Sequence, residues 1–217
     1  MSSSKDSVQR AHQLGGDAER ITEYYQDWAD SYDQDLSDEH YRGPEMVGEA
    51  FGEVAGEHLA TSPERTTVLD AGCGTGLVGV VLAGRGVTTI DGFDLSQAMV
   101  DVAEKTGVYR RLEGGVDMND GLTGFPDNGY DVSVSCGVFT LGHVPPEALL
   151  GLLRVTAPGG IVIVSTRKSY AAESGFEEYV RRLEEQGGLK TVLRLRDKPY
   201  TADSPADYWA FKVLKQR

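Results

Sequence analysis

The 217-residue sequence contains only two cysteines and no long run of apolar residues. Cys73 and Cys136 lie far apart and show no metal-ligand spacing, which excludes a disulfide scaffold and fits a reducing compartment. No apolar segment approaches the ~18 residues that span a bilayer, and the polar first residues contain no signal-peptide core. We therefore expect a cytoplasmic protein with no membrane partner and no bound metal.

Positive charge is also scarce, because 21 lysine and arginine residues stand against 34 aspartate and glutamate residues, giving a net charge of −13. A surface of this sign repels phosphate backbones, so we do not expect a nucleic-acid substrate. The imbalance is uneven: residues 1–50 carry 4 basic and 12 acidic side chains, whereas residues 181–217 carry 9 and 5. The acidic part predicts a solvated lobe, with steering of a cationic ligand as the alternative.

Glycine, in contrast, is abundant, with 27 residues, and short β-rich runs alternate with helical stretches from Thr66 onward. This alternation predicts βαβ units and a parallel sheet. Further on, two stretches of alternating apolar and polar residues flank a turn with Pro199 and Pro205, which predicts antiparallel strands at the sheet edge. The predicted strands are Thr67–Leu69, Thr88–Phe93, Val108–Leu112, Tyr130–Ser135, Gly160–Ser165, Leu189–Leu195 and Tyr208–Leu214, and the predicted helices span 77–85, 96–106, 146–156 and 173–186.

The first 62 residues precede this alternation. Residues 1–16 are polar and predict a flexible tail. Apolar side chains from Ile21 to Leu36 recur at helical spacing, which predicts an amphipathic helix, and a second helix is expected from about Pro44 to Leu59. We expect residues 17–62 to form a helical lid and residues 63–217 to form the ligand-binding domain.

The most informative segment is Asp70-Ala71-Gly72-Cys73-Gly74-Thr75-Gly76, between a strand and a helix. Glycine permits positive φ and lets a ligand approach the bare backbone, so this spacing predicts a ligand-binding loop. The overlapping segment 74–79 also satisfies the dinucleotide pattern G-x-G-x-x-G, and Asp94 follows 20 residues after its first glycine. Charge favours a different ligand, because the Asp70 carboxylate would repel a pyrophosphate and attract the cationic groups of S-adenosylmethionine.

Residues 66–166 resemble the core of the class I S-adenosylmethionine-dependent methyltransferases. Four motifs in order carry the resemblance, namely Asp70–Gly76, Asp91–Ser96, Asp117-Met118 and Ala157–Gly160, the last as the turn before strand five. Flanking segments are similar to the Williams–Beuren-region methyltransferase-like group, namely Tyr25–Asp33, Tyr41–Pro44, Cys136–Thr140 and His143-Val144. The resemblance implies a Rossmann-like α/β fold, with a mostly parallel seven-stranded sheet, an antiparallel edge hairpin and an N-terminal helical lid.

The resemblance also implies roles for individual residues. Asp94 would bind both ribose hydroxyls, Asp117 the adenine amine, and Met118 the adenine ring. The expected cofactor-binding residues are Tyr25, Trp28, Tyr32, Asp70, Gly72, Cys73, Gly74, Gly76, Asp94, Leu95, Met99, Asp117, Met118, Cys136 and Val138. The expected substrate-binding residues are Tyr41, Arg42, His143 and Arg167, and the candidate catalytic residues are His143 and Tyr32.

These assignments have plainer alternatives. An aromatic stripe on a helix is as often core packing as a ligand contact, so the roles of Tyr25, Trp28 and Tyr32 stay open. A lone histidine such as His143 is more often a structural hydrogen-bonding group than a general base. A charge such as that of Arg167 is often only solvated.

The segment after the fourth strand narrows the expected chemistry. Ser135-Cys136-Gly137-Val138 stands where family members that methylate planar amide or adenine amino groups carry an Asn/Asp-Pro-Pro-aromatic motif. We expect in-line methyl transfer from S-adenosylmethionine to a small-molecule metabolite at oxygen or nitrogen, with S-adenosylhomocysteine as product, by a monomer or homodimer. The alternatives are a catalytically silent S-adenosylmethionine-binding protein and an NAD(P)-dependent oxidoreductase.

Overall fold

The computed structural model describes residues 39–202 and 204–214 of the chain. The expected tail and the expected amphipathic helix from Ile21 to Leu36 lie outside these residues. Three of the expected site residues therefore lie outside the described part as well, namely Tyr25, Trp28 and Tyr32.

Within the described ranges, seven strands form one sheet in the order β3-β2-β1-β4-β5-β7-β6. The strands are β1 (Thr67–Ala71), β2 (Thr89–Asp94), β3 (Arg111–Gly114), β4 (Tyr130–Phe139), β5 (Thr156–Arg167), β6 (Leu189–Thr201) and β7 (Ser204–Val213). The helices are α1 (Gly43–His58), α2 (Leu77–Ala83), α3 (Gln97–Glu104), α4 (Leu149–Val155), α5 (Lys168–Ser174) and α6 (Phe176–Glu185). Short 3₁₀ helices span Pro63–Arg65, Met118–Asp120 and Pro146–Ala148.

The sheet is mostly parallel, as the sequence predicted. Strands β1 to β5 pair in parallel, whereas β7 runs antiparallel to both of its neighbours, β5 and β6. The strand order reverses at β1, which lies between β2 and β4. In open α/β sheets, ligands bind in the crevice at the carboxyl ends of the strands beside such a reversal, so this strand order indicates a ligand site at the ends of β1 and β4.

Two apolar layers cover the two faces of the sheet. Along β5, Ile161 and Ile163 belong to one layer and Val162 and Val164 to the other, and all four are fully buried. Helix α1 packs on the first face through buried apolar side chains, while α4 and α6 cover the second. Burial on both faces explains why β5 has a continuous apolar sequence without alternation.

The third strand begins later than predicted. The sequence predicted a strand over Val108–Leu112, but pairing with β2 begins at Arg111. Gly107 has a φ of 69°, and the Arg110 N–H donates to the Ile90 carbonyl oxygen at 2.7 Å before regular pairing starts. A left-handed glycine thus turns the chain, and the first part of the β-rich run serves as a connection.

Glycines also displace two other predicted boundaries. The segment Ala157–Gly160, expected as a turn before strand five, lies inside β5, where the pairing register shifts and Gly159 has a φ of 89°. The single helix expected over residues 173–186 is divided at Gly175, which has a φ of 70°. Both predictions were therefore wrong in detail, and in both places a left-handed glycine lies where the structure departs from the prediction.

The C-terminal hairpin is longer than predicted. Pro199 and Pro205, expected within its turn, instead face each other across the paired strands β6 and β7. Both lie near the end of the sheet, where a missing backbone N–H interrupts few ladder hydrogen bonds.

In the parts of the chain that the structure describes, no helix has the length and apolar character needed to cross a membrane.

Candidate functional site

The glycine loop after β1 is held by backbone hydrogen bonds to the end of β2. The N–H groups of Gly72 and Cys73 both donate to the Phe93 carbonyl oxygen, each at 2.9 Å. The Gly74 N–H donates to Asp94 Oδ2, also at 2.9 Å. These three N–H groups are therefore used within the protein, whereas a pyrophosphate-binding loop directs its N–H groups at the phosphates. This arrangement disfavours a dinucleotide ligand.

The glycines of this loop are required by conformation and by space. Gly72, Gly74 and Gly76 have φ values of 73°, 52° and 92°, in the left-handed region. A Cβ atom at Gly72 would lie 2.4 Å from Val138 Cγ2, so the end of β4 closes against the loop there. A Cβ atom at Gly74 would have no heavy atom within 4 Å, so this side of the loop faces open space.

Asp94 connects the loop to the following helix. Besides the Gly74 contact, its Oδ1 accepts a hydrogen bond from the Ser96 N–H at 2.9 Å, and the Ser96 hydroxyl caps α3 by accepting from the Met99 N–H. Burial raises the pKa of Asp94, and the hydrogen bonds from backbone N–H groups oppose that rise. The carboxylate is thus fixed at the mouth of the crevice, with lone pairs left for further donors.

Asp70 is the most deeply buried acidic group of the site. Its exposure is 0%, and Oδ2 accepts a hydrogen bond from the Tyr109 hydroxyl at 2.6 Å. Within the described residues, Oδ1 accepts no hydrogen bond. The pKa of Asp70 is raised to about 7, chiefly by burial; the Tyr109 hydrogen bond opposes this rise, and the nearby charge of Asp94 adds to it. A buried carboxylate oxygen without a donor favours a cationic ligand group.

Strand β4 forms the opposite wall. The Ser135 hydroxyl donates to the Ala71 carbonyl oxygen at 2.9 Å, which ties the ends of β4 and β1 together. The Cys136 sulfur lies 3.2 Å from the Tyr41 hydroxyl oxygen, and burial raises the pKa of the Cys136 thiol to about 12. The thiol is therefore neutral at physiological pH and cannot serve as a nucleophile there.

The residues expected to hold adenine follow β3. The Val116 N–H donates to the Asp94 backbone carbonyl at 3.1 Å, which keeps this segment beside the glycine loop. The Asp117 side chain accepts a hydrogen bond from the Asn119 N–H and caps the 3₁₀ helix Met118–Asp120. Met118 is buried, with an exposure of 4%. Two other expected residues lie at the start of α3, namely the half-buried Leu95 and the buried Met99.

Three of the four residues expected to bind substrate, Tyr41, Arg42 and Arg167, contact Tyr200, a residue that the sequence did not predict for the site. The rings of Tyr41 and Tyr200 meet edge to face, with centroids 5.0 Å apart. The Arg167 guanidinium lies 5.8 Å from the Tyr200 ring centroid and donates to the Ser204 hydroxyl at 2.9 Å. Arg42 joins the group through its backbone N–H, which donates to the Tyr200 carbonyl, while its side chain is 53% exposed.

His143 lies beyond the end of β4. Its Nδ1 is 3.4 Å from the Leu141 carbonyl oxygen, and burial lowers the pKa of the imidazole. The lowered pKa keeps the ring neutral at pH 7, the form that can accept a proton.

Among the described residues, no group of three or more His, Cys, Asp or Glu side chains is arranged to hold a metal ion.

Comparison with known proteins assigns the family. A model of the methyltransferase-domain family matches residues 69–164. Human methyltransferase-like protein 27 is 31% identical over 201 residues, which cover 91% of this chain and 79% of that protein. The chain belongs to the class I S-adenosylmethionine-dependent methyltransferases. It is a methyltransferase, and its cofactor is S-adenosyl-L-methionine.

Two further proteins extend this comparison. The malonyl-[acyl-carrier protein] O-methyltransferase of Serratia marcescens is 33% identical over 109 residues, covering 50% of this methyltransferase and 41% of its relative. The solved structure of a TehB-like methyltransferase from Corynebacterium glutamicum matches with a TM-score of 0.61 at 21% identity, covering 85% of this chain and 97% of that one. The second likeness concerns the fold alone, and it confirms the Rossmann-like class.

The residues of this methyltransferase fit its cofactor. S-adenosylmethionine carries cationic sulfonium and ammonium groups and no phosphate. The site offers a carboxylate at Asp94, open space beside Gly74, and an Asp70 oxygen that accepts no hydrogen bond from the part of the chain that the structure describes. The loop N–H groups of Gly72 and Cys73, which an anion would need, are already bonded to Phe93.

Two alanine substitutions in the glycine loop of the methyltransferase should separate stability from cofactor binding. Gly72→Ala is expected to destabilise the protein by about 3 kcal/mol, from left-handed strain together with the contact to Val138. Gly74→Ala carries only the conformational strain, about 1 kcal/mol, but its methyl group enters the open side of the loop. Urea unfolding and calorimetric titration with S-adenosylhomocysteine should therefore show greater loss of stability for Gly72→Ala and greater loss of affinity for Gly74→Ala. The opposite ranking would contradict this assignment of the two sides.

Proposed function

We propose that this methyltransferase modifies a small-molecule metabolite at oxygen or nitrogen. The observation that carries the proposal is the compact arrangement of Tyr41, Tyr200 and Arg167. It adjoins the carboxyl ends of β4 and β5, because the Tyr41 hydroxyl lies 3.2 Å from Cys136 Sγ and Arg167 is the last residue of β5. Two aromatic rings and one guanidinium suit a small organic molecule with a polar or anionic group. The net charge of −13 favours such a substrate over nucleic acid, and so does the lack of an Asn/Asp-Pro-Pro-aromatic motif at Ser135–Val138. These residues were expected after the fourth strand, but they form the last part of β4, which extends to Phe139.

We further propose how the chain holds its cofactor. Asp94 accepts hydrogen bonds from the ribose hydroxyls, Asp117 accepts one from the adenine amine, and Leu95, Met99 and Met118 provide apolar contacts to the nucleoside. When bound, S-adenosylmethionine supplies a methyl group already activated on a sulfonium. The remaining task of the protein is to position the substrate atom in line at ~3–3.5 Å and to exclude water.

A proton acceptor completes the proposed site. His143 is half-buried and burial lowers its pKa, so its imidazole is neutral at pH 7, the form that accepts a proton from a substrate hydroxyl or amine. The sequence also offers Tyr32 as a catalytic candidate, with Tyr25 and Trp28 closing over the cofactor. These three aromatic residues belong to the proposed lid and lie outside the described residues.

Two general properties accompany the proposed function. We place the protein in the cytoplasm, since both Cys73 and Cys136 are free thiols. We also propose that it acts as a monomer or homodimer without nucleic-acid or membrane partners, as its acidic composition suggests.

The proposal is tested by incubating the purified protein with methyl-labelled S-adenosylmethionine and a cell extract separated into metabolite, protein and RNA fractions. We expect label in the metabolite fraction, and label confined to protein or RNA would overturn the proposed substrate class. With the labelled product in hand, His143→Asn should lower kcat by about 100-fold while the affinity for S-adenosylhomocysteine stays unchanged. An unchanged kcat would remove His143 from the mechanism.

A further inference from the structure

Tyr109 occupies a slot beneath the cofactor loop that three glycines leave open. A Cβ atom would lie 2.4 Å from the Tyr109 ring at Gly79, 2.8 Å at Gly92 and 3.1 Å at Gly76. Protein interiors are close-packed, so side chains at these positions would compete with the ring for space. Two of these glycines belong to the dinucleotide-like pattern of the sequence, and the structure shows that they accommodate a phenol ring.

The hydroxyl of this ring is directed at the buried carboxylate of the site. Tyr109 Oη lies 2.6 Å from Asp70 Oδ2, a distance typical of a hydrogen bond to an ionised carboxylate. One oxygen of Asp70 therefore has a donor inside the protein, and the other, Oδ1, has none within the described residues. A carboxylate fixed in this way has one oxygen committed to the fold and one left for a ligand.

We propose that Tyr109 is a positioning residue for the cofactor, because its hydroxyl holds Asp70 Oδ2 and leaves Oδ1 for the ammonium group of the S-adenosylmethionine amino-acid moiety. Tyr109 does not touch the reacting atoms and acts through Asp70. The hydrogen bond also favours the ionised carboxylate, the form that attracts a cation.

The titratable groups that face Asp70 determine whether cofactor binding strengthens or weakens as the pH rises. They are Asp94, Cys73, Cys136 and Tyr109. Burial raises the pKa of both thiols and of the phenol, so these three stay neutral near pH 7, and Asp94 is the other negative charge. The pKa of Asp70 is about 7 with the tyrosine hydroxyl present, and loss of that hydroxyl raises it. Near pH 7 the carboxyl group would then be mostly protonated and would attract the ammonium less strongly.

The test compares Tyr109→Phe with the unmodified protein by calorimetric titration at pH 6.5, 7.5 and 8.5. Two ligands are used: S-adenosylhomocysteine, and 5′-methylthioadenosine, which shares the nucleoside but lacks the amino-acid moiety. We expect the variant to bind S-adenosylhomocysteine about 10-fold more weakly at pH 7.5, with a smaller difference at pH 8.5, where Asp70 regains its charge. Binding of 5′-methylthioadenosine should change less than 2-fold at every pH.

Tyr130→Phe is the matched control, because the Tyr130 hydroxyl donates to another buried carboxylate, Asp91 Oδ2, at 3.0 Å. It should leave both affinities unchanged. If Tyr109→Phe weakens the binding of both ligands equally and by the same factor at every pH, the ring acts only through packing and the proposal is overturned. Unchanged affinity for both ligands would also overturn it. If the variant does not fold, the unmodified protein still decides: its affinity for S-adenosylhomocysteine relative to 5′-methylthioadenosine must fall as the pH drops below about 7, and a constant ratio would overturn the proposal.

Discussion

Replacing Asp94 with alanine is expected to weaken S-adenosylhomocysteine binding by about 100-fold. The carboxylate is proposed to bind two ribose hydroxyls, and a hydrogen bond to a charged group contributes ~1.5–3 kcal/mol. The same side chain accepts from the N–H groups of Gly74 and Ser96, so its removal also releases the cofactor loop from α3. Asp94→Asn keeps one acceptor oxygen and should lose less affinity, about 10-fold.

Calorimetric titration measures this effect, and Asp101→Ala provides the control. Asp101 is an exposed acidic residue on α3, the helix that follows Asp94, and it accepts only from the Gln97 side chain among the contacts described. Its removal changes the net charge by the same amount and should leave binding unchanged. Equal affinities for Asp94→Ala and the unmodified protein would show that the ribose contact is assigned to the wrong residue.

The second large effect is expected from Asp70→Asn, which should stabilise the ligand-free protein and at the same time impair cofactor binding. Burial raises the pKa of Asp70 from 3.8 to about 7. In the folded protein its ionisation therefore opposes folding by at most about 4 kcal/mol above pH 7, and by nothing below about pH 4. The asparagine side chain avoids this cost but has no negative charge and attracts an ammonium group less strongly, so affinity should fall at least 10-fold.

Thermal unfolding at pH 5 and pH 8 tests whether ionisation of Asp70 destabilises the folded protein. Between pH 5 and about 7 the unfolded Asp70 is ionised while the folded one still binds a proton, so this group lowers the stability of the unmodified protein over that part of the range and has no further effect up to pH 8. The Asp70→Asn variant should show a weaker decline and a melting temperature at least 5 °C higher at pH 8. A variant that melts below the unmodified protein at pH 8 would mean that the carboxylate is stabilised by contacts other than those described.

Local sequence patterns were sufficient to predict much of this molecule. The α/β class, the parallel sheet and the cofactor loop follow from short-range signals: apolar runs that end in an acidic residue and three regularly spaced glycines. The cofactor was predicted for a similar reason, since the charge of Asp70 and its place before Gly72 distinguish a cationic ligand from a pyrophosphate. The roles of the individual site residues stay predictions.

Other features depend on contacts that no local pattern reveals. Tyr109 and Asp70 are 39 residues apart, and the β-rich run around Tyr109 predicted a strand rather than a connection. Tyr200 lies in a segment expected as a turn, because the prolines on either side of it imitate turn sequences. In both cases the position of a side chain was decided by tertiary packing, which overrides local preference.

The hydrogen bonds from the cofactor loop to Phe93 and Asp94 have a consequence for turnover. A loop whose curvature is already fixed by its own scaffold loses little conformational entropy when a nucleoside enters, so more of the contact energy remains as affinity. Exchange of S-adenosylhomocysteine for S-adenosylmethionine then does not require these hydrogen bonds to break and form again. We therefore expect the loop to have the same conformation with and without bound cofactor.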